Sequence, residues 1–127
     1  SEVGHNALGC GRVFAQGARL VNAAIDTGAL FQGETWRWLV EGVRASGEPL
    51  HFIGLLSDGN VHSHERHLHA LLERAHAEQV ERVRLHVLTD GRDVGATTAH
   101  VYLERLEALH ARINDTLRAS LRLAGLV

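Results

Sequence analysis

The chain alternates between short apolar runs and segments with helical periodicity. Residues Leu50–Leu56 form a nearly continuous apolar run, which is typical of a β-strand covered on both faces. A second run, Val83–Leu88, predicts another strand. Each strand breaks at a turn that contains an Asp-Gly pair, at Ser57–Asn60 and at Thr89–Gly95. The pattern therefore predicts two strands that both end in a glycine-containing turn.

Apolar side chains elsewhere recur at steps of three and four residues, the spacing that puts them on one face of a helix. Gly28 is predicted to end the first such helix, and Gly47 with Pro49 the second. Residues 1–12 have little periodic pattern and predict a loop or a short capped turn, whereas residues 114–127 have the pattern of an amphipathic helix. The predicted helices are Val13–Ile25, Glu34–Ala45 with Trp38, Leu39 and Val43 on one side, His62–Gln79 and Thr98–Arg112.

The order strand, helix, strand, helix predicts the fold class, a parallel α/β sheet with a βαβα core. Parallel strands need a crossover, usually a helix, to bring the chain back to the starting edge of the sheet. In open sheets of this kind, ligands bind at the carboxyl ends of the strands. We therefore expect the two Asp-Gly turns to lie side by side and to form the ligand site.

The composition indicates one domain of ordinary balance, with 127 residues, 45% of them apolar and 22% charged. A net charge of −2 is too small to attract nucleic acid or an anionic membrane. No apolar run approaches the roughly 20 residues of a spanning helix, and no secretory leader is recognised at the start. Cys10 is the single cysteine, so an internal disulfide is excluded and a reducing, cytoplasmic location is expected.

The basic residues are unusual because all 13 are arginine and none is lysine. Every fixed positive charge is therefore a planar fork, which suits a carboxylate or phosphate group. Chemistry that depends on a lysine Schiff base is excluded for this sequence.

The first turn places His62 and His64 at the predicted start of a helix. One interpretation is capping, in which Ser57, Asp58 or Asn60 accepts backbone N–H bonds and the histidines only flank the cap. Another is anion binding, because an imidazole beside unpaired amides at the positive end of a helix favours a carboxylate or phosphate. A third interpretation takes the two histidines as a metal-binding pair.

The second turn sets Arg92 between the carboxylates of Asp90 and Asp93. These charges could satisfy one another in a salt-bridged turn. Alternatively, the arginine fork grips a charged oxygen of a ligand while a carboxylate takes a hydroxyl proton. Taken together, the two turns indicate a small, acidic and hydroxylated ligand.

Three motifs follow one another along the chain: Ser1-Glu-Val-Gly-His-x-x-x-Gly-x-Gly-Arg12, Gly54-Leu-Leu-Ser-Asp-Gly-x-Val-His-Ser-His64 and Asp90-Gly-Arg-Asp-Val-Gly95. In content and order they resemble the cofactor-independent (2,3-bisphosphoglycerate-independent) phosphoglycerate mutases. The resemblance covers about residues 1–112.

This resemblance implies an activity and roles for individual residues. Enzymes of the family interconvert 3-phosphoglycerate and 2-phosphoglycerate in glycolysis with two manganese ions (Mn2+). By the resemblance, Ser1 is the nucleophile that becomes phosphoserine and is also a ligand of one metal ion. His62, Arg92 and Asp93 match the substrate-binding residues, with Asp93 as the acceptor of the proton from the glycerate hydroxyl. A metal ion would supply the activation that a serine hydroxyl needs to become a nucleophile.

The resemblance also implies a division of the chain. Residues 1–15 match a small piece of a phosphatase-like, metal-binding domain of the alkaline-phosphatase type, and residues 16–127 match part of the phosphotransferase domain inserted into it. The family's other metal ligands and its further substrate arginines are not found in this sequence, and residues 114–127 do not match the family pattern. We therefore expect a partial chain that is inactive alone and that pairs with the missing remainder of the enzyme.

Two other functions compete with this one. The chain could be a non-catalytic module that keeps the two turns as a weak anion site, which the missing metal ligands favour. It could also be a metal-dependent hydrolase built on His62 and His64.

Overall fold

The computed structural model describes residues 2–11 and 17–117. The order of elements confirms the βαβα core, preceded by helices. The elements are α1 (Glu2–Cys10), α2 (Gly17–Asp26), α3 (Ala29–Gln32), α4 (Glu34–Ser46), β1 (Leu50–Leu56), α5 (Glu65–Ala77), β2 (Val83–Thr89) and α6 (Ala99–Leu117).

The two strands form a parallel pair, as the sequence predicts. Leu50 pairs with Val83 at one end, and Leu56 pairs with Thr89 at the other. Because both strands end at the same level of the sheet, the turns that follow them begin side by side. Helix α5 makes the crossover between the strands, and both α5 and α6 contact β1.

The core lies between one face of this sheet and the helices α3 to α6. Strand residues alternate between faces, so Leu50 and Leu56 share the covered face of β1. The buried apolar residues are Phe31, Trp36, Val40, Leu50, Leu56, Leu72, Ala75, Val80, Val83, Leu85, Tyr102, Leu106, Leu109 and Ile113.

The prediction that β1 is covered on both faces is wrong for the described part of the chain. Ile53 is 77% exposed, and Leu88, beside Leu55 in the register, is 57% exposed. Both belong to the face opposite the core, where His51 and His86 form a hydrogen bond across the strands. A continuous apolar run indicates that both faces of a strand are apolar, but it does not indicate which elements cover those faces.

Several helix boundaries differ from the predictions. Residues 2–10 form α1 rather than a loop. Gly28 does end α2's segment with a left-handed φ of 76°, but a short helix, α3, begins directly after it. Helix α6 continues to Leu117, past the predicted end. Residues 13–16 and most of the tail predicted to be helical lie outside the described residues.

The inner face of α4 also differs from the prediction. Trp38 is 71% exposed, whereas Trp36 and Val40 are buried and Val43 packs against the core. Positions 36, 40 and 43 follow helical steps of four and three residues. Trp38 is two residues from Trp36 and therefore points to a different side. Trp36 also has a polar partner, since its indole Nε1 donates to Glu78 at 3.2 Å.

No helix within residues 2–11 and 17–117 is both long enough and apolar enough to cross a membrane.

Candidate functional site

The turns after β1 and β2 meet at the carboxyl edge of the sheet. We call residues 57–64 the first turn and residues 90–98 the second turn. The side chains of Ser57 and Asp90 join them: Ser57 Oγ donates to Asp90 Oδ2 at 2.5 Å. Ser57 is only 1% exposed and Asp90 only 6%. This confirms the expectation that the turns lie side by side.

Asp90 also organises the second turn from within. Its other carboxylate oxygen accepts the backbone N–H groups of Arg92, at 2.9 Å, and Asp93, at 3.1 Å. The Ser57 hydrogen bond, followed by these two amide bonds, lowers the pKa of Asp90 below its ordinary value. The carboxylate of Asp90 is thus satisfied by a hydroxyl of the first turn and by backbone N–H groups of its own turn. The alternative of a salt-bridged second turn is not seen among the described ion pairs.

The first turn approaches the second so closely that a side chain does not fit at Gly59. A Cβ atom placed there would lie 2.9 Å from the Cβ of Asp93 and 3.1 Å from the carbonyl oxygen of Asp93. Glycine at this position therefore lets the two turns touch, and it sets Asp93 against the first turn.

Helix α6 holds the first turn through Asp58. The Tyr102 hydroxyl donates to Asp58 Oδ1 at 2.7 Å, and Arg105 bridges Asp58 and Glu65. The Tyr102 hydrogen bond, helped by Arg105, lowers the pKa of Asp58, and the same bond raises the pKa of Tyr102. Asp58 is thus a structural anchor, not the helix cap that the sequence suggested.

The helix after the first turn begins later than predicted, at Glu65, and its N-cap is His64. His64 Nδ1 accepts the N–H of Arg66 at 3.2 Å. Asn60 and His62 have left-handed φ values of 58° and 63°, which a helix cannot accommodate. The capping interpretation is therefore right in kind, but the predicted capping residues are wrong.

An open pocket of about 480 Å3 lies between the two turns. It brings together three of the predicted site residues, His62, Arg92 and Asp93. Ser63 lines it too, with its hydroxyl donating to the carbonyl of Leu55 at 2.7 Å. Apolar residues Ile53, Gly54, Leu55 and Val61 complete the wall.

Arg92 is available to a ligand. Within the described residues, its guanidinium forms no hydrogen bond and no ion pair. An unengaged arginine fork, an imidazole and a carboxylate around one pocket can bind an anion that also carries a hydroxyl group. Ser1, predicted as nucleophile and metal ligand, lies outside the described residues.

The described residues do not fit a metal centre. Among residues 2–11 and 17–117, no group of three or more His, Cys, Asp or Glu side chains is placed to hold a metal ion. In addition, His64 already uses Nδ1 as a helix cap. The geometry therefore gives no support to a metal pair made of His62 and His64.

Replacing His64 with alanine should lower the free energy of unfolding by about 1 kcal/mol, because α5 loses its cap. His64→Asn should keep most of the stability, since an asparagine oxygen can accept the same N–H. Urea denaturation of both variants measures the difference. Equal losses in the two variants would show that the imidazole does something other than cap the helix.

Comparisons with known proteins identify the family of the chain. A family model described as the N-terminus of BPG-independent PGAM matches residues 21–122. The chain belongs to this family, the 2,3-bisphosphoglycerate-independent phosphoglycerate mutases. The match to the mutase family model begins after the motif that contains Ser1 and includes both turns.

Individual mutases of the family are also similar in sequence. A probable 2,3-bisphosphoglycerate-independent phosphoglycerate mutase of Leptospira interrogans is 49% identical over 84% of this chain and 20% of its own length. The mutase of Trypanosoma brucei brucei is 45% identical over 91% of this chain and 21% of its own length. The chain thus spans about a fifth of the length of the mutases that it matches.

A solved structure confirms the α/β fold. It is a crystal structure of Leishmania mexicana phosphoglycerate mutase at low cobalt concentration, with a TM-score of 0.83 and 45% sequence identity. The match covers 90% of this chain and 21% of the Leishmania mutase. The similarity to a mutase structure therefore extends over nearly all of this chain.

The sequence does not identify the two residues, Ser57 and Asp90, that join the first and second turns. The sequence indicates Ser57 only as a candidate cap and Asp90 only as a charge beside Arg92. One signal was available, because an Asp followed by glycine often accepts the backbone N–H groups two and three residues ahead. The bond between Ser57 and Asp90 had no such local signal.

Proposed function

We propose that the chain is the phosphoglycerate-binding part of a 2,3-bisphosphoglycerate-independent phosphoglycerate mutase. The whole enzyme would interconvert 3-phosphoglycerate and 2-phosphoglycerate in glycolysis, in the cytoplasm. The observation that carries this proposal is that His62, Arg92 and Asp93 line the same pocket. Membership of the mutase family supports it.

Each of these residues has chemistry that suits a phosphoglycerate. The Arg92 fork can donate two parallel hydrogen bonds to a phosphate or carboxylate group. His62 can donate a further hydrogen bond to an anionic oxygen. Asp93 can accept the proton of the glycerate hydroxyl, which makes that oxygen able to take up a phosphoryl group.

The phosphoryl group would be carried by Ser1 as a phosphoserine. This part of the proposal depends on the resemblance of the Ser1-Glu-Val-Gly-His5 motif. We extend the proposal to two Mn2+ ions, with Ser1 as a ligand of one of them. The Leishmania mutase structure, obtained at low cobalt concentration, supports metal dependence in general but not manganese in particular.

The division of the chain belongs to the same proposal. Residues 1–15 would be part of a phosphatase-like domain and residues 16–127 part of a phosphotransferase domain, both completed by polypeptide beyond this sequence. The partner of this chain, besides the substrate, would be that remainder. The second candidate function, an anion-binding module without catalysis, is favoured by the lack of a metal-ligand group among residues 2–11 and 17–117.

The proposal is tested by titrating the 15N-labelled chain with 3-phosphoglycerate, first without metal. We expect amide chemical-shift changes at His62, Arg92 and Asp93. With Mn2+ added, we expect no turnover to 2-phosphoglycerate, because the chain alone lacks a complete site. Shift changes confined to residues far from the two turns would contradict the proposed binding site, and turnover by the chain alone would contradict its dependence on further polypeptide.

A second test, with the chain as part of a full-length mutase, separates a catalytic role from a binding module. There, Ser1→Ala should abolish turnover while phosphoglycerate still perturbs the two turns. Retained turnover in Ser1→Ala would rule out the phosphoserine intermediate.

A further inference from the structure

The two turns of the pocket are joined by one pair of buried polar side chains. We propose that Ser57 and Asp90 are positioning residues, which set the distance between the first turn and the ligand groups of Arg92 and Asp93. This inference rests on the proposed function, since it concerns how the same pocket holds phosphoglycerate. Neither residue is among the described residues that line the pocket, so the proposed role is to position the groups that do.

Asp90 connects the two parts of the site because its two oxygens face different partners. Oδ2 accepts the Ser57 hydroxyl, which belongs to the first turn. Oδ1 accepts the amides of Arg92 and Asp93, the two residues of the second turn that line the pocket. A shift of the Asp90 carboxylate would therefore move the backbone from which both ligand groups extend.

Ser57 connects in the same way to the first turn. Its hydroxyl oxygen accepts the N–H of Gly59 at 3.0 Å while its proton goes to Asp90. Its carbonyl oxygen accepts the N–H of Glu65 at 2.7 Å, at the start of α5. The residues between these two anchors include His62. The Ser57 hydroxyl is thus the point at which the placement of His62 and the placement of Arg92 are coupled.

The hydrogen bond between Ser57 and Asp90 is expected to be strong. The bond has an ionised acceptor, which makes it stronger than a bond between neutral groups. The bond is also shielded from water, because both side chains are almost completely buried. The turns also approach each other at Gly59 and Asp93, where a Cβ atom on Gly59 would lie 2.9 Å from the Cβ of Asp93.

A positioning role makes a distinct prediction about ligands of different size. In the proposed binding mode a phosphoglycerate contacts residues of both turns, so its binding depends on the distance between them. Inorganic phosphate is small enough to bind at Arg92 alone, so its binding depends little on that distance. Loss of the Ser57 hydroxyl should therefore weaken phosphoglycerate binding selectively, whereas general unfolding would weaken the binding of both anions.

The experiment is an NMR titration of the chain and its Ser57→Ala variant with 3-phosphoglycerate and, separately, with inorganic phosphate. We expect about tenfold weaker binding of phosphoglycerate in the variant, the effect of one hydrogen bond to a charged group. Phosphate binding should change little. Ser46→Ala is the control, because it removes a serine hydroxyl bonded to Val43 at the end of α4, which strand β1 separates from the first turn.

Asp90→Asn provides an independent variant in case Ser57→Ala does not fold. Asparagine keeps an oxygen for the amides of Arg92 and Asp93 but loses the anionic acceptor of the Ser57 proton. It should show the same selective loss, and the double variant should lose little more than either single one, because the two residues act as a unit.

The outcomes distinguish this inference from the proposed function. If the unsubstituted chain does not bind phosphoglycerate, the proposed function fails and the positioning role fails with it. If the unsubstituted chain binds phosphoglycerate, the variants Ser57→Ala and Asp90→Asn decide on the positioning role. That role alone is overturned if they weaken the binding of phosphoglycerate and of phosphate equally, or if they weaken the binding of neither anion. The positioning role is supported if both single variants lose affinity for phosphoglycerate but not for phosphate, and if the loss in the double variant is smaller than the sum of the two single losses.

Discussion

Replacing Arg92 with alanine is expected to weaken 3-phosphoglycerate binding by on the order of 10²-fold, because hydrogen bonds to a charged group contribute about 1.5–3 kcal/mol. The physical reason is that Arg92 has the one guanidinium among the described residues that line the pocket. Within the described residues that guanidinium forms no hydrogen bond and no ion pair, and its one recorded interaction is the attraction of its charge to Asp90. Removing it therefore takes binding energy from the ligand without breaking a structural ion pair. NMR titration with 3-phosphoglycerate measures the loss.

Two further variants make this result specific. Arg92→Lys keeps the positive charge but not the planar fork, so its affinity should lie between those of the unsubstituted chain and Arg92→Ala. Arg84→Ala removes the same charge from an exposed position of β2, outside the pocket. It should bind nearly as the unsubstituted chain does. Equal losses in Arg84→Ala and Arg92→Ala would indicate a general effect of charge and would remove Arg92 from the binding site.

Replacing Gly59 with alanine is expected to destabilise the chain by about 1–3 kcal/mol, the usual cost of overpacking. The added methyl group would meet the Cβ and the carbonyl oxygen of Asp93. These atoms belong to the backbone region and cannot swing away as the end of a long side chain can. The turns must therefore separate, and urea denaturation should show a lower midpoint. Phosphoglycerate binding should weaken as well, because Asp93 lines the pocket.

Gly91→Ala is the matched control, since Gly91 is the glycine of the second Asp-Gly pair. A Cβ atom at Gly91 would meet nothing closer than 3.7 Å, from Ala96. Its φ is not in the left-handed region. The variant should therefore lose little stability. A larger loss in Gly91→Ala than in Gly59→Ala would contradict the close approach between the turns at Gly59.

The sequence predicts elements well where a local pattern reflects a local cause. Strand β1 begins and ends where the apolar run does, and β2 differs by one residue at its end. The predicted helix boundary is wrong where the same polar pattern fits both a turn and the start of a helix. Residues 62–64 continue the polar start of a helix in sequence, but the left-handed conformation of His62 delays α5 until Glu65. Periodicity does not detect a single backbone angle.

Burial is harder to predict than element type. The sequence places Trp38 on the inner side of α4, but the core takes Trp36. Both tryptophans are large and apolar, so residue type does not separate them. The choice follows from the position of Phe31 in α3, whose ring packs edge-on against Trp36 with centroids 5.2 Å apart. The sequence pattern does not predict α3, so it does not identify the aromatic partner of Trp36.

The sequence by itself determines that two parallel strands end in Asp-Gly turns at one edge of a sheet, and that the turns contain His62, Arg92 and Asp93. These features follow from local periodicity and from the connection rules of parallel strands. Only the tertiary structure decides which polar groups are already engaged. Asp58 accepts a hydrogen bond from Tyr102, 44 residues away in the sequence, and Asp90 accepts one from Ser57, 33 residues away. Packing sets such distant pairs, and it leaves the Arg92 fork available to a ligand.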